Sequence, residues 1–327
     1  MPFSVFYNKP KLRRLVEISI KLVILLLLFA SLYWQIVRKD NVEKVFADIF
    51  NIMVRNSSLI LLVFALMFAN WGVEAWKWWL LINRAEKLGY GKAFLAIFSG
   101  TTLTLFTPNR IGEYGGRFIF LKDPLRLETI QATILGSIAQ MWVTVLAGLV
   151  GMAWWLSNST KMGSESQQVL YTLVVVAMVL CTVLYFRLEL IASLLGRIRY
   201  LQKYQDRWVK LIHFSHWELL KVLLLAVLRY GVYLGQFLLL LYALEVTIEP
   251  IHGAALIATI FLFQTAIPSI AIFDLGIRGN LAVFVFTGFV TGLEPVVAAA
   301  FCLWLINLVI PAVIGYAIIL TTKMFRN

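Results

Sequence analysis

Charged side chains are scarce in this sequence. They make up 14% of its 327 residues, whereas ordinary soluble domains carry about a quarter, so water is excluded as the main solvent of the fold. Cysteine is nearly absent: Cys181 and Cys302 stand alone in separate apolar runs, which excludes a disulfide framework and a thiolate metal site. The three histidines, His213, His216 and His252, offer no metal spacing, and the first two suit an interfacial position at the bilayer surface. Missing too are a Gly-Lys-Thr phosphate loop, a Gly-x-Ser-x-Gly elbow and zinc-ligand spacings, and with them a soluble catalytic site. No polar stretch is long enough for a separate soluble domain; the longest is the connector from Arg187 to Ser215. Metal, cofactor and enzymatic chemistry are not expected.

Hydrophobic residues make up 61% of the chain, in runs near the roughly 20 residues that span a bilayer. The fold class expected is all-α integral membrane: six full spans, at about 16–37, 57–82, 130–156, 168–186, 217–244 and 295–320, plus two re-entrant or broken hairpins. The hairpins, about 93–121 and 253–292, are apolar arms around a polar middle containing Pro and Gly. The formal net charge of +12 does not imply nucleic acid, because the basic residues cluster beside apolar runs as cytoplasmic loops require. Membrane lipids are the expected partners.

Lys and Arg in short loops set the orientation. Lys9, Lys11, Arg13 and Arg14 place the N-terminus inside, ahead of an uncleaved first span. Arg84, Lys87 and Lys92 return the chain to the cytoplasm, as do the basic residues of the 187–215 connector. Lys323 and Arg326 put the C-terminus there. The first hairpin then enters from the cytoplasm and the second from outside. Trp34 and Trp154–Trp155 fall at the outer interface, with Trp76, Trp78, Trp79 and Trp217 at the inner. A single membrane domain results: a first repeat at 57–156, a linking span and interfacial helix at 157–216, and a second repeat of opposite orientation at 217–322. Leu188, Ile191, Leu195, Ile198, Leu201 and Trp208 recur at helical spacing in that connector. Inverted repeats with broken helices near the midplane are a transporter design.

An ionisable side chain at the bilayer centre costs about 2.5–3.5 kcal/mol on insertion scales, so each is a functional candidate. The first tip carries Arg110, Glu113 and Arg117, the second Asp274 and Arg278, and Arg229 lies mid-span. Glu113 with Arg117, and Asp274 with Arg278, are spaced to pair on a helix, which leaves Arg110 and Arg229 without obvious partners and inviting an anion. Pro108 ends the descending arm at Thr107, and Asn109 can cap the returning one. Glu74 and Lys77 lie near the cytoplasmic end of their span, where snorkelling to the interface is expected. Gln264 and Asn307 are read as interhelical amides.

Thr107, Pro108, Ile111, Gly112, Glu113 and Arg117, followed by Pro268, Gly276 and Arg278, resemble the membrane region of the lysylphosphatidylglycerol synthetase/flippase family over about residues 15–322. The second motif departs from the pattern: paired glycines and an acid after the arginine are missing, and Asp274 is the residue available to replace that acid. In two-part members a soluble domain attaches an amino acid to phosphatidylglycerol and the membrane region moves the product between leaflets. This sequence leaves no room for the soluble part, so the resemblance implies translocation or lipid binding without synthesis. The expected substrate site comprises Pro108, Arg110, Gly112, Glu113, Arg117, Arg229, Pro268, Asp274, Gly276 and Arg278, facing an anionic phospholipid head group, possible lipids including aminoacylated or isoprenoid-linked ones, in a bacterial-type inner membrane. The alternatives are an intramembrane lipid-modifying transferase with Glu113 or Asp274 as general base, and a non-transporting assembly partner.

Overall fold

In a bilayer core every backbone N–H and C=O must find its partner within the chain, and a helix does this span by span. The computed structural model describes residues 54–84, 86–105, 107, 112–121, 127–160, 162–187, 214–267 and 271–322, with Leu15, Ser19 and Val23; the side chains of 127–130 and 271–275 fall outside that description. Among the described residues all regular structure is helical: α1 (Ser57–Ile82), α2 (Tyr90–Thr104), α3 (Gly112–Phe118), α4 (Leu127–Ser159), α5 (Ser164–Phe186), α6 (His216–Ala243), α7 (Pro250–Ala266), α8 (Ala271–Phe286), α9 (Glu294–Trp304), a π-helical turn (Leu305–Val309) and α10 (Ile310–Thr321). Five stretches are long and apolar enough to cross a membrane, namely α1, α4, α5, α6 and the continuous run from α9 to α10. The sixth expected span, at 16–37, lies outside the described residues except for Ser19 and Val23, and the interfacial helix expected in the connector lies outside them too.

Local chemistry sets the boundaries. Ser215 and Glu218 form a capping box at the start of α6, the Ser215 hydroxyl accepting from the Glu218 N–H and the Glu218 carboxylate from the Ser215 N–H, which satisfies donors that a helix start leaves free. Pro250 opens α7, where a missing N–H costs nothing. That helix stops at Ile267, whose extended backbone (φ −100°, ψ 108°) is the conformation imposed by the following Pro268. Between α2 and α3, the Thr107 hydroxyl donates to the Leu103 carbonyl at 3.1 Å and accepts from the Gly112 N–H at 2.6 Å, stitching the broken hairpin. The last span contains Pro311, which cannot donate to the carbonyl four residues before it. The helix widens there, and the Ile310 N–H reaches back to Leu305.

The order of one long helix, two short ones and a long closing helix occurs twice, in α1–α4 and again in α6–α10. The two opening helices, α1 and α6, pack on each other; α2 packs on α10, and α7 packs on α4. The first short arm of each unit therefore seats against the closing helix of the other unit. Glycine makes both contacts close. A Cβ at Gly315 in α10 would lie 1.9 Å from the Phe98 carbonyl oxygen of α2, and one at Gly151 in α4 would lie 2.4 Å from the Ala255 carbonyl oxygen of α7. α5 packs on α4 along one side and turns Val169, Leu173, Val175, Val176, Val179 and Leu180 outward, as a helix apolar on all sides does against lipid. Trp76 and Trp217 also face outward, whereas Trp78, expected in the same interfacial belt, is buried inside the bundle.

Candidate functional site

In α1 the residues Asn70, Trp71, Glu74, Lys77 and Trp78 recur on one helical face, and that face turns inward: Glu74 is 4% and Lys77 1% exposed. This corrects the snorkelling expected of the pair. Reaching the interface requires a lipid-facing side chain, and these two are covered by α3, α4 and α6. Glu74 is instead a hub for three cations. Its carboxylate holds the Lys77 ammonium at 2.6 Å, the Arg117 guanidinium of α3 at 2.9 Å and the Arg229 guanidinium of α6 at 3.0 Å. Arg117 also pairs with Glu113 one turn before it, as the four-residue spacing suggested. Arg229, expected to lack a partner, has one in Glu74, a contact across 155 residues of sequence that spacing along one helix cannot reveal.

Neighbours fix these cations in place. Gln140 of α4 accepts from both the Lys77 ammonium and the Arg229 guanidinium at 3.4 Å. Arg117 lies 5.6 Å from the Trp78 ring and Arg229 5.1 Å from the Trp71 ring, distances at which a guanidinium is attracted to the electron-rich face of the ring. The Trp78 indole N–H in turn donates to the Thr133 hydroxyl at 3.0 Å. A related arrangement occurs in the second unit, where Arg278 of α8 donates to the Tyr233 hydroxyl of α6 at 2.8 Å. Each unit thus binds an arginine of its short returning helix to a residue of its opening helix, a carboxylate in one and a phenol in the other.

These groups border a cavity of about 560 Å³, a size ordinary for a small-ligand site. Thr107, Glu113 and Tyr114 of the first hairpin and Ile267 and Arg278 of the second line the same space, with Glu74, Lys77 and Arg229 between them. Of the residues expected from sequence, Glu113, Arg229 and Arg278 meet here, and Arg117 stands behind through its bonds to Glu74 and Glu113. Gly112 serves packing, since a Cβ there would come within 2.2 Å of the Leu103 carbonyl oxygen, while Gly276 has open space. Pro108, Arg110 and Pro268 lie outside the described residues, as does the side chain of Asp274. Glu74, Lys77 and Gln140 were missed as site residues, although a carboxylate and an ammonium one turn apart inside an apolar span, on the same face as Asn70, are a visible signal.

The chain matches, over residues 17–315, the family model described as the lysylphosphatidylglycerol synthase TM region. No curated protein matches it, and no solved structure does.

Proposed function

Because the chain belongs to the lysylphosphatidylglycerol synthase transmembrane-region family, we propose that it binds the head group of an anionic phospholipid at the Glu74 cluster and passes it between leaflets as a flippase-like transporter. The observation that carries this reading is three cations gathered on one buried carboxylate beside a cavity. In that cluster Lys77, Arg117 and Arg229 outnumber Glu74 and Glu113 by one charge, and excess positive charge in a medium of low dielectric favours an anion. Arginine adds a fork that matches phosphate oxygens in pairs. Acyl tails would remain in lipid while the head group crosses between the tips. The transferase alternative is less well supported, because Glu113 is engaged by Arg117, which suits a fixed counter-ion better than a proton acceptor.

Arg229→Gln tests the reading with little risk to folding, since Glu74 keeps Lys77 and Arg117. In liposomes containing the purified protein, this variant should lower binding or translocation of fluorescent phosphatidylglycerol about tenfold, a change of about 1.4 kcal/mol, and Arg229→Lys should recover part of it. A folded Arg229→Gln protein that handles anionic lipid as the parent does, or a parent that handles phosphatidylcholine equally well, overturns the reading.

The two helical units are proposed to be inverted repeats of an inner-membrane protein with both termini cytoplasmic. Gly89 and Ser159 are exposed at opposite ends of the predicted path. Single cysteines there should be labelled from the cytoplasmic and the external side respectively, and labelling of both from one side would sink the orientation.

A further inference from the structure

The cation cluster forms one part of the cavity wall. Another part is neutral and carries polar atoms that have no hydrogen-bond partner among the described residues: Trp71 Nε1, Trp304 Nε1, the Tyr230 hydroxyl and Asn70 Oδ1. The four residues line the cavity, yet they are only 5%, 1%, 9% and 2% exposed. Buried indole N–H and phenol O–H groups ordinarily find partners, and four orphans around a single space are not explained by helix packing. Asn307, 5% exposed, lines the cavity too and accepts from the Asn70 amide at 3.1 Å.

The backbone supplies an independent sign. Asn307 sits inside the π-helical turn Leu305–Val309, and such turns, which widen a helix locally, are frequent at functional sites. The same turn brings Leu308 to the cavity, directly after Trp304 at the end of α9.

The chemistry of the orphans narrows what they fit. Two are donors only, one both donates and accepts, and one accepts; none is charged. Hydroxyl groups satisfy such a set, since each can give and take a hydrogen bond. Ammonium does not, because it cannot accept from an indole N–H and the adjoining cluster already holds Lys77 and Arg229. The neutral group also abuts that cluster directly: Asn70 lies one helical turn before Glu74, Tyr230 follows Arg229 in sequence, and the Trp71 ring lies 5.1 Å from the Arg229 guanidinium.

We propose that Asn70, Trp71, Tyr230, Trp304 and Asn307 form a subsite for the uncharged, hydroxyl-bearing part of an anionic lipid head group, a glycerol, inositol or sugar, and that this chain selects hydroxylated anionic lipids over aminoacylated ones. The inference rests on the anionic-lipid reading above and adds its substrate class. A phosphate held by the cations would direct its polyol into the neutral subsite, and a site built to bond hydroxyls discriminates strongly against analogues that lack them.

Binding to the purified full chain can be measured with phosphatidylcholine, phosphatidic acid, phosphatidylglycerol and lysyl-phosphatidylglycerol, each in nanodiscs of otherwise identical composition. Phosphatidylglycerol should bind about tenfold or more tighter than phosphatidic acid, which has the phosphate without the polyol, and tighter than its lysyl ester. Tyr230→Phe removes a single oxygen and Trp304→Phe a single ring with its N–H; each should move the phosphatidylglycerol-to-phosphatidic-acid affinity ratio toward one. Because the two changes are in different helices, loss of folding in one leaves the other as the test. Equal binding of phosphatidic acid and phosphatidylglycerol by the parent, preferential binding of the lysyl ester, or an unchanged ratio in a folded variant overturns the subsite while leaving an anionic site standing. Failure of both anionic lipids to bind better than phosphatidylcholine removes the anionic-lipid reading itself.

Discussion

Replacing Glu74 by alanine should destabilise the folded protein by about 3–5 kcal/mol, the cost of leaving a buried ion partner uncompensated. The estimate follows from the number of groups that depend on this carboxylate. Lys77, Arg117 and Arg229 contact it at 2.6–3.0 Å, and only Arg117 has a second carboxylate, Glu113, among these contacts. Removing Glu74 leaves Lys77 and Arg229 with the amide of Gln140, the Trp71 ring beside Arg229, and their mutual repulsion. Thermal unfolding of the detergent-solubilised protein should show a large loss of midpoint. The charge explanation makes a further demand: Lys77→Met introduced with Glu74→Ala should restore part of the stability, because removing both members of a buried pair is far milder than removing one. Additivity of the two losses would show that Glu74 acts through packing alone. If the cluster receives anionic head groups, phosphatidylglycerol should also raise the midpoint of Glu74→Ala, the lipid phosphate supplying the missing negative charge.

A change of comparable size is expected at Gly315, for a steric reason. A Cβ there would lie 1.9 Å from the Phe98 carbonyl oxygen, 2.5 Å from its carbonyl carbon and 2.5 Å from the Thr102 hydroxyl, and the Thr102 hydroxyl is itself bound to the Ala312 carbonyl at 2.7 Å. Two of those obstacles are backbone, which cannot rotate out of the way. Gly315→Val must therefore separate α2 from α10 and break the Thr102 bond. Overpacking of ordinary cores costs about 1–3 kcal/mol, and this site belongs at or above the upper end. Gly231→Ala is the matched control, since nothing lies within 4 Å of a Cβ there and alanine is the better helix former by about 1 kcal/mol. Folded yield and unfolding midpoint should fall steeply for the first and hold or rise for the second. Equal behaviour of the two would mean that the α2–α10 approach is not as close as described.

The legibility of this protein differs sharply between its helices and its site. A span expected at 57–82 is observed at Ser57–Ile82, and the two hairpins break where proline and polar residues interrupt apolar runs. These features are local. Lipid offers the backbone no alternative hydrogen bonds, so apolar length selects a helix and Pro268, Pro250 or a capping serine marks its end whatever surrounds it. The family was legible for a similar reason, because its motif is contiguous from Thr107 to Arg117 and is carried by residue identity.

What the amino-acid sequence determined by itself was thus the helical, membrane-embedded nature of the apolar segments, where most of the described ones stop, and which charges have no easy place in a bilayer. Spacing along one helix foretold the Glu113–Arg117 pair, but tertiary structure alone decided which charges meet across helices. Glu74 could snorkel or turn inward on the same helix, and the choice depends on α3 and α6, which supply Arg117 and Arg229 across 43 and 155 residues of sequence. The four orphaned polar atoms are likewise invisible in one dimension, since an indole N–H is unpartnered only when every neighbouring helix fails to offer an acceptor. Side-chain burial and ion pairing in a bundle are properties of helix faces brought together, and no single helix contains that information.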